Sequence, residues 1–305
     1  MKKIFISILN FNSRKETIDC LNSIKKIKIK DFVVSVILID NASKEKLNLK
    51  EDFIDPIELK IVETKENLGF AGGHNVGLRY AFGNGADYVL ILNNDAVLDE
   101  NALLEMFLAA EETSKVGIIV PKIYFAKGHE YHKEKYKKED LGRVFWYAGG
   151  EVDWKNVVGF HRGVDEIDEG QYDKREETNY ATGCCMLVSR KVLEEVGLFD
   201  ENYYLYYEDG DLSQRVKRNG YKIIYEPKAV VYHENAGSSG GSGSSLQDYY
   251  ISRNRMLFGL KYAPIRAKVA LVRESLRLLR NGREWQKKGI QDFYNRKFKK
   301  GSFNP

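Results

Sequence analysis

Tyr88-Val89-Leu90-Ile91-Leu92-Asn93-Asn94-Asp95 decides how the chain reads. Five apolar or aromatic residues in succession are too dense for a strand with one wet face. They predict a central parallel strand covered by helices on both sides. Two amides and a carboxylate follow at once. Ligands of open α/β sheets settle beyond the carboxyl ends of the strands. Asp95 is therefore the first residue expected near a phosphate-bound cation or a sugar hydroxyl. Taken alone, the triplet also reads as an Asn/Asp turn between strand and helix, so its neighbours have to decide.

Outward from that run, short strands and helices alternate. Residues 3–9 predict a first strand ending in Asn10-Phe11-Asn12-Ser13, with Ser13 as N-cap of a helix over 14–27. Residues 33–39 and 59–62 predict two more strands, and a glycine-rich stretch over 67–77 leads into a helix ending near Ala81. A helix over about 99–113 and a strand from Val116 follow the pivot. Such alternation describes a doubly wound α/β sheet. Farther on, residues 127–140 predict an exposed insertion, 144–160 a hairpin and 182–189 a buried strand. Two short strands are expected over 221–225 and 229–232. Residues 237–245, almost all glycine and serine, have the composition of a linker or mobile loop. Helices are expected over 246–260, 266–280 and 284–298, broken at Pro264 and Asn281-Gly282. The expected division is an α/β unit over 1–236, the Gly/Ser loop over 237–245 and a basic helical extension over 246–305.

Composition sets bounds. The 305 residues, 43% hydrophobic and 30% charged, describe a soluble globular protein. No stretch approaches the roughly 20 apolar residues that span a bilayer. Residues 1–9 have the charge and apolarity of a signal peptide, but Asn10, Asn12 and Arg14 cut the run short, which favours a first strand. Cys20 and the adjacent Cys184-Cys185 make neither a disulfide framework nor a metal-binding pair, as suits a reducing cytosol. The net charge of +4 conceals an asymmetry: residues 261–305 hold 13 Lys/Arg against 3 Asp/Glu. That basic tail suits an anionic lipid surface or substrate, or a solvated helix face. It supports nucleic acid only weakly, and none is expected as a partner.

Four further clusters carry chemistry. Gly69…Gly72-Gly73…Gly77 looks like a phosphate-cradling turn, but it departs from G-x-G-x-x-G and follows the third strand, which argues against a dinucleotide. His74 and Asn75 within it suggest ligand contacts, or helix capping. Asp40-Asn41-Ala42-Ser43 ends an apolar strand, as an Asx turn or as a carboxylate accepting from a base or ribose. Glu208-Asp209-Gly210-Asp211 follows four tyrosines. Such carboxylates repel one another unless they cap a helix or meet a cation, and Asp209 suits either an N-cap or a general base at the mouth of a sugar site. His233 ends a strand beside a flexible loop, as a structural histidine or a metal ligand.

In this order the clusters strongly resemble the inverting glycosyltransferases of family 2, particularly the rhamnosyltransferase-like branch. The resemblance covers roughly residues 3–234, and Tyr249-Tyr250-Ile251-Ser252-Arg253-Asn254-Arg255 beyond the Gly/Ser loop is similar to that branch too. It implies the GT-A fold, a Rossmann-like, mostly parallel sheet with a C-terminal helical extension. It implies that Asp40, Asn10 and Asn12 contact the nucleotide of a nucleotide-diphosphate sugar, and that Asn67, Gly69, Asn75, Asn94 and Glu208 help shape the substrate site. Asn93-Asn94-Asp95 stands where the family carries D-x-D, so Asp95, with Asn93 and His233, would hold Mg²⁺ or Mn²⁺ on the diphosphate. Asn93 departs from the pattern, and a neutral amide attracts a divalent cation less than a carboxylate does. Asp209 would be the general base.

The implied reaction is single-displacement transfer of a hexose, such as rhamnose, to a hydroxyl of a glycan or lipid-linked acceptor. The implied setting is polysaccharide biosynthesis in the cytoplasm; the basic C-terminal helices add an expected peripheral contact with an anionic membrane. The Gly/Ser loop reads as a lid or as a passive tether. A sugar-phosphate nucleotidyltransferase would carry a Gly-rich loop after the first strand, and Leu9-Asn10-Phe11-Asn12 has no glycine. Retention of Asp95, Asp209 and His233 together argues against a non-catalytic binding module.

Overall fold

The computed structural model describes residues 1–50, 53–235 and 243–304. Strands β1 (Lys2–Asn10), β2 (Phe32–Asp40), β3 (Glu58–Glu63) and β4 (Tyr88–Asn93) are connected through helices α1 (Arg14–Ile24) and α2 (Gly69–Gly83). After β4 come β5 (Ala96–Leu98), α3 (Ala102–Glu112) and β6 (Val116–Phe125). The middle of the chain supplies β7 (Phe145–Tyr147), β8 (Gly150–Asp153), β9 (Val158–His161), β10 (Glu176–Thr178) and β11 (Cys185–Ser189). Then follow α4 (Arg190–Val196), α5 (Glu208–Arg218), β12 (Lys222–His233), α6 (Ser245–Tyr262), α7 (Ile265–Asn281) and α8 (Glu284–Tyr294).

The central sheet runs β10-β12-β6-β11-β4-β1-β2-β3, with β5 on β12 and β7 on β6. The β4-β1-β2-β3 half is parallel throughout, and β12 runs parallel to β6. Ile4, Ile6, Val36 to Ile39 and Val89 to Leu92 are sealed from solvent, as expected for strands with helices on both faces. Because β2 lies on one side of β1 and β4 on the other, the order reverses at β1. The crevice of a doubly wound sheet falls at that point.

Several expectations need correcting. The pivot strand β4 is parallel to β1 but antiparallel to β11 on its other edge; dense apolarity reports burial on two faces, not the direction of a neighbour. Residues 222–233 form one strand, bulged between Glu226 and Val230, in place of two. Ser13 precedes α1 without capping it, its hydroxyl donating to the Phe11 carbonyl instead. Residues 236–242 lie outside the described residues, and so does the lid or tether expected there. Ser244 caps α6, accepting from the Gln247 N–H at 3.3 Å.

A second hydrophobic cluster, including Met256, Phe258, Leu271 and Ile290, joins the last three helices to Tyr203 and Val157. Truncating a sealed residue such as Ile290 to alanine typically costs about 2–5 kcal/mol.

Candidate active site

The carboxyl ends of β1, β2 and β4 share one edge, with Asn10 opposite Asp40 and Leu9 opposite Asn93. Asp40 is buried, and its Oδ1 accepts from the Ser43 N–H at 3.0 Å, an Asx turn. The Ser43 hydroxyl accepts in turn from the Asn10 amide and the Asn12 N–H, both at 3.0 Å. Asn12, at φ +56°, accepts from the Lys44 N–H at 2.8 Å. These bonds stitch the loops after β1 and β2 into one wall. Asp40 Oδ2 keeps no hydrogen bond among the described residues.

The entrance to α2 is held by Asn41, which motif reading passed over. Its amide donates to Asn67 Oδ1 at 3.0 Å and to the Gly69 carbonyl at 3.2 Å, and its Oδ1 accepts from the Leu68 N–H at 2.9 Å. Gly69 has φ +72°, and the backbone of Tyr204 occupies the place a Cβ would need. The structure commits the Asn75 amide to bracing α2 against the Phe199 carbonyl at 2.9 Å and Glu201 at 3.1 Å. His74 is corrected: fully buried, it bonds Ser7 through Nδ1 at 3.0 Å and packs on Phe70, and burial pushes its pKa down to about 3. It is a neutral core residue.

Asn94 turns inward, its amide donating to Thr17 Oγ1 at 2.9 Å. Asp95 meets His233, with Nε2 3.1 Å from Oδ1 and both side chains largely buried. β5 makes this pairing, because it runs antiparallel to the end of β12 and sets Ala96 opposite His233. His233 Nδ1 is buried with no hydrogen-bond partner among the described residues, and Trp146 packs edge-on at 4.5 Å. Among those residues no three His, Cys, Asp or Glu side chains converge on one point. One carboxylate and one imidazole, with Asn93 two residues before Asp95 in sequence, still suit Mg²⁺ or Mn²⁺, which keep most of their shell for phosphate oxygens and water.

Asp209 is the second residue of α5, whose N-cap is Tyr207, so the capping reading of Asp209 does not hold. Its Oδ2 accepts from the Tyr180 hydroxyl at 2.8 Å and the Gly183 N–H at 3.0 Å, and its Oδ1 from the Gly210 N–H at 2.7 Å. Burial raises its pKa from the ordinary carboxylate value, against the bonds from Gly183, Tyr180 and Gly210. Glu208 beside it is buried, with Oε2 unpartnered among the described residues. Burial, then repulsion by Asp209 and Asp211, pushes it well above the carboxylate range. Asp211 differs again. Burial works to raise it, but Arg215, Lys261 at 2.7 Å and the Tyr262 hydroxyl at 2.7 Å hold it below the usual value. Asp211 is a structural hub.

One backbone bond links the end of β4 to the segment that touches Asp209: the Asn93 N–H donates to the Cys184 carbonyl at 2.8 Å, one residue from Gly183. Aromatic rings line the same interval, His233 to Trp146 at 4.5 Å, Trp146 to His161 at 4.3 Å and His161 to Tyr180 at 6.2 Å. His161 is kept neutral, its pKa lowered to about 4 chiefly by burial. Beside Asp209 lies a cavity of about 320 Å³ lined by Val158, Tyr180, Tyr206, Tyr207, Arg255 and Phe258 among others. Its aromatic faces suit the C–H face of a sugar ring.

The turn before Asp209 is strained. Tyr204, Tyr206 and Tyr207 have φ of 65°, 68° and 73°, a region that costs of order 1–3 kcal/mol per non-glycine residue. The buried α6 pair Arg253-Asn254 holds it. The Asn254 amide donates to the carbonyls of Tyr203 and Leu205 at 2.8 Å and Tyr206 at 2.9 Å; Arg253 donates to those of Asn202 at 3.2 Å and Tyr203 at 3.0 Å. The sequence marks this pair only through the family resemblance and gives it no role, and nothing in it singles out Tyr180 or Trp146. No local signal marks residues that meet their partners only across the fold.

Comparison with known proteins gives the family and the fold. The low-salt glycan biosynthesis hexosyltransferase Agl10 of Haloferax volcanii is 24% identical over 253 residues, 83% of this chain and 74% of that protein. The N-acetylglucosaminyl-diphospho-decaprenol L-rhamnosyltransferase of Mycobacterium tuberculosis is 26% identical over 221 residues, 70% of each chain. Among solved structures, GalNAc-T7 with UDP, GalNAc and Mn²⁺ superposes with a TM-score of 0.64 at 15% identity. That likeness covers 96% of this chain but only 55% of the other, and it shows the GT-A fold. The profile of glycosyl transferase family 2 matches residues 5–197, more than half of the chain, which therefore belongs to that family and transfers a sugar from a nucleotide sugar.

Proposed function

We propose that the chain is a metal-dependent, inverting hexosyltransferase, with rhamnose the first donor sugar to test. The acceptor is a hydroxyl of a glycan or lipid-linked saccharide, met at the inner face of the cytoplasmic membrane. The names of the two relatives, a hexosyltransferase and a rhamnosyltransferase of a diphospho-decaprenol acceptor, support sugar and acceptor class. Residues 1–236 do the chemistry in this reading, and residues 246–305 extend it.

The carrying observation is the bond between the Asn93 N–H and the Cys184 carbonyl, which sets Asn93-Asn94-Asp95 and the Gly183–Asp209 contact on either side of the β4–β11 edge. Asp40, Asn10 and Asn12 hold the nucleotide end of the donor, while Asn67 and Gly69 shape the wall above it. Asp95 and His233, with Asn93, would hold Mg²⁺ or Mn²⁺, which would supply charge stabilisation for a departing diphosphate. The acceptor sugar lies on the tyrosine and phenylalanine faces of the cavity.

Asp209 takes the proton of the acceptor hydroxyl as its oxygen bonds to the anomeric carbon from the face opposite the leaving group. The pair of electrons in the sugar–phosphate bond leaves with the diphosphate. Tyr180 and the Gly183 N–H orient the carboxylate, and burial keeps it basic enough for the task. No covalent nucleophile is needed, so Cys184 and Cys185 serve the core; burial raises both thiols.

Incubation with a panel of nucleotide sugars tests the reading. Release of nucleoside diphosphate supports it. Release of pyrophosphate would indicate a nucleotidyltransferase instead, and release of neither would indicate a binding module.

A further inference from the structure

We infer that the outward face of α7 is a docking surface for an anionic lipid bilayer. Ile265, Val269 and Leu276 recur at helical spacings of four and seven, which places them on one stripe, while Val272 at its edge is half-buried against the C-terminal core. Ile265 is 74% exposed, Val269 45% and Leu276 52%, whereas the opposite face of the helix packs through Ala267, Leu271 and Ser275. A helix needs one apolar face to join the fold; α7 has a second that nothing covers among the described residues.

The charges around that stripe specify the occupant. At 100° per residue, Lys268 falls on one side of it and Arg266, Arg273, Arg277 and Arg280 on the other. None of these five makes an ion pair among the described residues, whereas Glu274 on the inner side is bonded by Arg255 at 2.9 and 3.0 Å. An apolar stripe between unpaired cations matches the boundary of an anionic leaflet, with apolar groups in the acyl region and guanidinium groups at the phosphates. A protein partner would call for carboxylates in a matching pattern; a lipid surface needs only charge and depth.

The surface also lies near the chemistry. Arg255 lines the aromatic cavity beside Asp209, and α7 packs directly on the helix that carries it. A bilayer seated on α7 is then about one helix diameter, ~10 Å, from α6. This siting rests on the sugar-transfer reading, but lipid binding itself does not.

The test is flotation of the full chain with phosphatidylcholine vesicles, with and without phosphatidylglycerol. The wild type should float with the phosphatidylglycerol vesicles and be released as salt is raised. Ile265→Glu and Leu276→Glu should each reduce the vesicle partition coefficient about tenfold or more, as expected from burying one large aliphatic side chain. Arg273→Gln with Arg277→Gln should remove much of the preference for phosphatidylglycerol. Because these side chains are exposed, melting temperature and donor hydrolysis in solution should be unchanged, so a failed flotation leaves the enzymatic reading standing. Absence of flotation by the wild type overturns the proposal. So does undiminished flotation of Ile265→Glu and Leu276→Glu, or a change of oligomeric mass in those variants without any vesicle binding by the wild type.

Discussion

The side-chain amide of Asn254 donates to the carbonyl of Tyr206 at 2.9 Å, linking α6 to a residue in the left-handed region two positions before Glu208. The C-terminal helices therefore hold the backbone from which Asp209 projects. Asn254→Ala strips one donor group from three carbonyls at once. Stability should fall by about 1–3 kcal/mol. Sugar transfer should fall further than nucleotide binding, because among the described residues Asp40 and the loops after β1 and β2 make no hydrogen bond to α6 and meet it only indirectly, through Tyr204 against Gly69. Equal losses of turnover and donor affinity in a folded variant would remove this positioning role.

Asp209→Asn keeps size and most hydrogen bonding but cannot accept a proton. Transfer to an acceptor should drop by roughly 10²–10⁴-fold, the usual worth of a general base. Donor affinity should persist. Near-normal turnover would remove Asp209 as the base and leave Glu208 to be tested; Asp211 is committed to Arg215, Lys261 and Tyr262.

Tyr180→Phe deletes the hydroxyl donating to Asp209 Oδ2. That bond favours the ionised carboxylate, so its loss should raise the Asp209 pKa beyond the upward shift that burial already imposes. A general base works when deprotonated. The acidic limb of the transfer rate should therefore move to higher pH, with most of the rate regained on the alkaline side. A uniform loss at every pH would indicate a packing role alone.

Asp95→Ala should weaken nucleoside-diphosphate binding measured with Mg²⁺ or Mn²⁺ and leave binding measured in chelator unchanged. Calorimetry under both conditions gives the answer. The same cation dependence in variant and wild type would remove Asp95 from the cation site.

Much of this protein is legible in its sequence for a local reason. Whether a strand is buried on both faces, and whether polar residues follow its carboxyl end, depends on a few consecutive side chains. The runs before Asn10, Asp40 and Asn93 therefore announce both the sheet and its candidate ligand edge, and Glu208-Asp209 announces a carboxylate at a helix start. The tertiary structure alone decided which of those polar groups remain available. Asn75 and His74 sit in the same motif as Gly69, yet Phe199 and Glu201 occupy the Asn75 amide, and His74 is buried in the core with Nδ1 on Ser7. Asp211 lies two residues from Asp209, and Arg215 on the same helix, with Lys261 and Tyr262 about 50 residues away in sequence, holds it below the usual carboxylate value while burial raises Asp209. Asp95 and His233, 138 positions apart, meet because β5 pairs with β12. Residue type and spacing determine what chemistry a side chain can offer; desolvation and partners brought in by long-range packing decide whether it is free to offer it.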